Sequence, residues 1–299
     1  MKTQALKTLS YSGGLTLHAC PRRYQLDKLI TDRRPQDSRS VTFAYGHAIG
    51  EGIQSILARD TLEETIFKMF LIWDYDLLES EPRTKKSFAM AVLAIYKFLD
   101  YYEHSDLANY EVATIKGKSA TELSFAINLP EGYRYRGFID VVLAHKETGA
   151  LKVLELKTTG FTNLNPAMYC NSSQALGYAV VLDTLKDNNI GASFDVEYLV
   201  YKSSKQEFEN FTFTKLFNQK VSWIQDTLKD CDHITDYIEE NHFPKRGESC
   251  YHFFRECPHL PYCNLKDKNL KLDLEAIKED DTDYTIELNL LDIIESMEK

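Results

Sequence analysis

The sequence predicts an α/β fold, a mixed sheet flanked by helices with a helical lobe in front of it. Three observations lead there. Between residues 42 and 103 the apolar residues recur with a helical period. Near residue 110 the period changes to alternation, as in Leu123, Phe125, Ile127 and Leu129. Beyond that point the stretches run in the order three strands, helix, two strands, helix, an arrangement that packs helices on a sheet.

Taken in order, residues 1–45 are a mixed N-terminal segment. Pro21 follows Cys20 and fits the first turn of a helix reaching about Ile30. Residues 46–108 form the helical lobe, with three apolar stripes. The first is Ile49, Ile53, Ile56 and Leu57; the second begins at Leu62 and ends at Leu77; the third is Phe88, Val92, Ile95, Tyr96 and Leu99. All three read as helix core. Residues 109–240 carry the sheet: the alternating run at 123–129, then "YRYRGFIDVVLAH" and "LKVLELKTT", a helix over 166–187, strands "SFDVEYLVYK" and "EFENFTF", and a helix over 214–240. Residues 241–265 are a cysteine-bearing loop. Residues 266–299, with "KEDDTD" at the centre, read as a loosely attached charged tail.

Composition narrows the function. The chain has 299 residues, 43% hydrophobic and 27% charged, an ordinary globular balance. A net charge of −10 argues against a surface coated in basic residues for nonspecific nucleic-acid binding, while leaving room for a local basic groove. The N-terminus has no apolar signal-like region, and no apolar run approaches the ~18–20 residues of a membrane span. The expected location is the cytoplasm, or the host cytoplasm for a viral gene. Six cysteines in such a compartment point to packing, reactivity or metal rather than disulfides.

The hairpin "VVLAHKETGALKVLELKTTG" poses the chemical question. Asp140 precedes its first strand, and Glu155 and Lys157 share one face of its second. Antiparallel pairing brings the Asp140 end beside the Glu155 end, where two carboxylates repel and raise each other's pKa. A divalent cation such as Mg²⁺ removes that penalty, and the lysine can orient or deprotonate a water. The same three residue types on a solvent-facing strand would be commonplace. Here both acids are embedded in apolar sequence, "GFIDVVL" and "VLELKTT", where a polar side chain needs a reason.

"GFIDVVL…VLELKTTG" resembles the PD-(D/E)xK nuclease signature, with Ile139-Asp140 in the "PD" place and Glu155-Leu156-Lys157 as "ExK". "QALGY" places Gln174 and Tyr178 at i, i+4 and is similar to the QxxxY motif of RecB-type nucleases. Cys250, Cys257 and Cys263 cluster downstream while Cys20 lies far upstream, a layout that resembles the [4Fe–4S] clamp of AddB-like and CRISPR-associated RecB-like exonucleases. Four thiolates also suit tetrahedral Zn²⁺, and the first downstream gap is longer than the family's, so zinc stays open. Cys170 and Cys231 read as packing or surface thiols. In "GHAIGEGIQSIL" Gly50 stands where the family carries its metal-binding histidine, so that either Glu51 or His47, one turn apart, takes the role.

The resemblance implies a restriction-endonuclease-like mixed sheet core and a Cys-ligated cluster joining the N- and C-terminal segments. It implies a DNA nuclease dependent on Mg²⁺ or Mn²⁺, acting as an exonuclease on single-stranded ends in recombination, repair or phage DNA processing. Asp140, Glu155 and the Leu156 carbonyl would hold the metal, Lys157 would assist the water, and Gln174 and Tyr178 would position the strand. Thr158 and Thr159, and Arg22, Arg23, Arg33 and Arg34, are further candidates for phosphate contact. The rival readings are a non-hydrolytic nucleic-acid-binding or assembly subunit whose cluster only staples the fold, and a zinc-stapled protein with no nucleic-acid role. A second copy of the chain or a recombination helicase as partner is left open.

Overall fold

The computed structural model describes residues 7–29, 40–77, 85–184, 194–252, 255–261, 263–264 and 283–297. In chain order β1 (Lys7–Ser10) leads into α1 (Tyr11–Ala19) and α2 (Pro21–Tyr24), which continues as a π-helical turn, Gln25–Leu29. The expected helix from Pro21 is thus present, with its last turn widened. Then come α3 (Val41–Leu57), α4 (Leu62–Ile72) and α5 (Phe88–His104), the three helices read from the apolar stripes. Each starts at a hydroxyl cap: Ser40, Thr61 and Ser87 accept from the backbone N–H three residues on, and Glu64 closes a capping box with Thr61.

The strands follow: β2 (Tyr110–Val112), the short pair β3 (Thr114–Ile115) and β4 (Lys118–Ser119), then β5 (Thr121–Asn128), β6 (Tyr133–His145) and β7 (Leu151–Thr159). A short α6 (Ala167–Cys170) and α7 (Ser173–Asp183) precede β8 (Phe194–Lys202) and β9 (Glu207–Lys215). Helix α8 (Phe217–Glu239), the small hairpin β10 (Tyr251–His252) with β11 (Arg255–Glu256), β12 (Ile286–Asn289) and α9 (Leu290–Met297) complete the chain.

The chain packs as two compact units: residues 1–37, 124–137 and 221–299 in one, 38–123 and 138–220 in the other. In the second, β6 and β7 pair antiparallel with Val141 opposite Leu154, β7 and β8 pair parallel, and β8 and β9 pair antiparallel. A parallel β7–β8 pair needs a crossover, and α6 and α7 supply it. The core lies between this sheet and α3–α5. Ile49, Ile53, Met69, Ile95 and Phe98 pack there with Val141, Leu143, Leu154 and Leu199, all buried. Helix α3 sits close because two of its three glycines stand at packed positions. A Cβ on Gly52 would press on Ile95 and lie 2.8 Å from Met69 Sδ, and one on Gly46 would lie 3.0 Å from Thr158 Oγ1. A buried ion pair, Lys220 with Asp183, fixes the start of α8 to α7.

In the first unit β1 and β12 both run parallel to their partners, β1 along Tyr133–Arg136 and β12 along Phe125–Asn128. For residues 283–297 this corrects the reading of a loose tail; residues 266–282 lie outside the described residues. Ile286, Leu290 and Ile293 are buried, and β12 extends a sheet. The few apolar residues of this stretch alternate and then take a helical spacing, which the surrounding acids mask in the sequence. Most of "KEDDTD" lies outside the described residues.

Candidate active site and cysteine cluster

The β6–β7 register, continued one residue beyond Val141 and Leu154, sets Asp140 opposite Glu155. Paired residues share a face of the sheet, so both carboxylates and Lys157 lie together, as the alternation requires. Asp140 Oδ2 accepts the Leu156 N–H at 2.7 Å. Lys157 Nζ donates to Glu155 Oε1 at 2.5 Å. Glu155 is 1% exposed, and its other oxygen, Oε2, is buried without a hydrogen-bond partner.

Such a pair is electrostatically unfavourable when ionised. Burial, and then the Glu155 carboxylate, push Asp140 up to about 8, against the pull of the Leu156 N–H and Lys157. Burial raises Glu155 as well, although Lys157 opposes the shift. Two carboxylates paired across adjacent strands are an arrangement that a cation satisfies.

Behind the lysine stands a chain of hydrogen bonds. Lys157 Nζ donates to Gln174 Oε1 at 3.3 Å, Gln174 Nε2 donates to the Tyr178 hydroxyl at 2.6 Å, and that hydroxyl donates to the Phe138 carbonyl at 2.8 Å. The i, i+4 spacing on α7 therefore faces the site. Of the two residues expected to position the substrate strand, Tyr178 is 3% exposed, enclosed by apolar neighbours of α7. Its hydroxyl orients Gln174 instead.

Helix α3 forms a wall of a cavity of about 680 Å³, where His47, Gly50 and Glu51 line the space with Asp140, Leu156 and Lys157. A side chain at Gly50 would meet nothing within 4 Å. Among the described residues, no three His, Cys, Asp or Glu side chains stand close enough together to grip one ion, so neither His47 nor Glu51 completes a ready-made ligand set. Thr158 lines the cavity, whereas Thr159 Oγ1 accepts the Phe161 N–H at 3.1 Å. Arg22 is 3% exposed and donates to Gln25 Oε1 at 2.5 Å, which removes it from phosphate contact. Arg23 pairs with Asp27 at 3.5 Å, and Arg33 and Arg34 lie outside the described residues.

One member of the site was not read from the sequence. Glu122 lines the same cavity, accepts Gln54 Nε2 at 2.8 Å, and raises both Asp140 and Glu155 as a like charge. Its φ is 45°, a left-handed backbone inside β5 that an L-residue adopts only under constraint. A lone Glu in "TELSFAI" carries no local mark of this.

Cys20, Cys250, Cys257 and Cys263 line one pocket of about 210 Å³. Burial and the three other thiols push Cys250 upward, as expected of sulfurs that face one another. The loop is shaped by its own backbone: Cys257 N–H donates to the Cys250 carbonyl at 2.7 Å and Cys263 N–H to His259 at 2.8 Å. Ser249 Oγ reaches the Ala19 carbonyl at 2.6 Å, and His259 Nε2 lies 2.6 Å from Asp27 Oδ1. These tie the loop to the Cys20 segment. Cys170 and Cys231 stand apart from the pocket lining.

This pairing of sheet topology with Asp140, Glu155 and Lys157 on one strand face defines a nuclease fold of the restriction-endonuclease kind. The PD-(D/E)XK nuclease superfamily matches residues 8–264, and the chain belongs to it. Among solved structures, the chain is similar to a protein from Eubacterium rectale assigned as an exonuclease, at 12% identity and a TM-score of 0.49 over 82% of this chain and 86% of that one. It is also similar to SSO0001, at 14% identity and a TM-score of 0.28 over 73% and 87%. No curated protein matches the chain. Among the described residues no helix is long and apolar enough to cross a membrane.

Proposed function

We propose that the chain is a divalent-metal-dependent deoxyribonuclease, an exonuclease that hydrolyses single-stranded DNA from its ends. The observation that carries this reading is the buried Asp140–Glu155 pair, with Glu155 Oε2 unpartnered and Lys157 bonded to both Glu155 and Gln174. The donor set fits a hard cation: Asp140 and Glu155 would hold Mg²⁺ or Mn²⁺, with the Leu156 carbonyl and with Glu51 or His47 reaching it through water. Bound there, the cation would supply Lewis acidity to the scissile phosphate and lower the pKa of the attacking water.

The chain's own groups do the rest. Lys157 Nζ, bonded to Glu155 and Gln174, orients the water and balances the phosphate's charge. Gln174 fixes the lysine, and Tyr178 fixes Gln174 from the core. Asp140 is positioned by the Leu156 N–H, so the acid cannot swing away when its partner ionises. Four thiols around one pocket fit a soft metal centre, and we assign them a structural [4Fe–4S] cluster, with Zn²⁺ as the alternative.

The test is digestion of end-labelled linear single strands, linear duplex and circular single strands by anaerobically purified protein with Mg²⁺ or Mn²⁺. Shortening of the linear single strand, with the circle intact and Asp140→Asn inert, is the expected result. Cutting of the circle would make the enzyme an endonuclease, and no cutting of any substrate would leave a non-hydrolytic binding protein.

A further inference from the structure

We propose that the single strand is held at this site by stacking of its unpaired bases on two exposed phenylalanines, Phe43 and Phe138. The proposal rests on the nuclease reading above and assigns the residues that select its substrate.

The charge of the cavity wall sets the problem. Glu51, Asp74, Glu122 and Asp140 line it, against one lysine, Lys157, among the described lining residues. A polyanion gains little there from phosphate neutralisation, the usual source of nucleic-acid affinity. Cations can offset part of the repulsion at the reacting phosphate, but the neighbouring nucleotides need another hold. Bases provide one, because each has a π-face that a side-chain ring can cover whatever the sequence.

The two rings are placed for it. Phe43 lines the cavity at the first turn of α3 and is 73% exposed. Its N–H donates to Ser40 Oγ at 3.2 Å, so the backbone under the ring is held by the helix cap. Phe138 is 49% exposed and lies two residues before Asp140 in β6, on the face that carries the carboxylate. Its carbonyl accepts the buried Tyr178 hydroxyl, which anchors that ring in turn. Exposed phenylalanines are common singly. Here both have fixed backbones; Phe43 lines the acidic cleft, and Phe138 shares a strand face with Asp140, two residues from that lining acid. Duplex bases are already stacked and offer no such face, so these rings favour unpaired strands.

The experiment compares binding of an oligothymidine with that of an equal-length strand carrying abasic sites, using full-length protein in an Asp140→Asn background so that nothing is cut. The intact strand is expected to bind about tenfold tighter or more. Phe43→Ala and Phe138→Ala should each shrink that ratio, the double variant should abolish it, and Phe→Tyr at either position should keep it. Should an alanine variant melt early, Phe→Leu at that position carries the same comparison, losing the ratio where Tyr keeps it. An unchanged ratio in the variants, or duplex bound as tightly as single strand, overturns the proposal. Failure of the nuclease reading looks different: the wild-type protein then cuts neither strand. Failure of stacking alone leaves cleavage intact and indifferent to abasic sites.

Discussion

Asp140→Asn should stabilise the cation-free protein at alkaline pH. In the native protein burial, the Glu155 carboxylate and Glu122 lift Asp140 to about 8, from an ordinary value near 4. Between those values the native state holds a proton that the unfolded chain releases, so stability falls as pH rises. The contribution is fully present below the unfolded value near 4 and lost by the folded value near 8. At ~1.4 kcal/mol per unit, the ionised pair costs the native state roughly 5 kcal/mol above pH 8. Asparagine keeps an oxygen to accept the Leu156 N–H, so the fold loses little by the exchange. The assay is thermal melting of both proteins across the range from mildly acid to mildly alkaline pH, without divalent cations and then with Mg²⁺. At about 2–4 °C per kcal/mol, the wild-type midpoint should drop by about 10–20 °C along the series while the variant drops much less. Mg²⁺ should restore the wild type and scarcely move the variant. Parallel curves for the two proteins would refute the reasoning, since the pair would then be unstrained.

Lys157→Met should lower cleavage by about 100-fold or more at saturating Mn²⁺, and a near wild-type rate would remove its role with the water. Glu51→Gln should raise the metal concentration needed for half-maximal cleavage more than His47→Ala does, and the reverse ranking would make His47 the ligand. Cys20→Ser should lose iron, sulfide and visible absorbance, and should lower the melting midpoint by opening a cross-link worth about 5 kcal/mol; Cys170→Ser and Cys231→Ser should do neither. If Cys20→Ser keeps a full cluster, its thiol is no ligand. Lys220→Met should cost about 3–5 kcal/mol in a urea melt, because it takes the cation of this buried pair away from the Asp183 carboxylate; Asp183→Asn with Lys220→Met should recover most of it.

The hairpin was legible because strand alternation is rigid. Once "GFIDVVL" and "VLELKTT" are strands, Asp140, Glu155 and Lys157 must share a face. The helices of the lobe were legible for the same reason at a longer period. That Cys20 joins the three downstream cysteines was implied by the resemblance to the RecB-like cysteine layout, and nothing in the spacing tells how wide the four sulfurs stand. What escaped depends on distant packing. Tyr178 has the spacing of a substrate-facing residue, yet its ring is enclosed, and only the hydroxyl communicates with the site. Glu122 takes its place through a left-handed backbone imposed by its surroundings. β12 is four residues long among acids, too short for its alternation to be visible before its partner strand is known.

The two packed glycines of α3 have a genetic consequence. Gly52 lies against Ile95 and Met69, both fully buried. An added methyl there overpacks the core, which typically costs about 1–3 kcal/mol. Such a penalty is tolerable in the cold and ruinous near the melting point, and it falls on the helix that walls the cleft. Gly52→Ala is therefore the substitution to choose for a temperature-sensitive allele. It would let the nuclease be switched off in a growing culture by warming alone, with every carboxylate, lysine and thiol of the enzyme still in the gene.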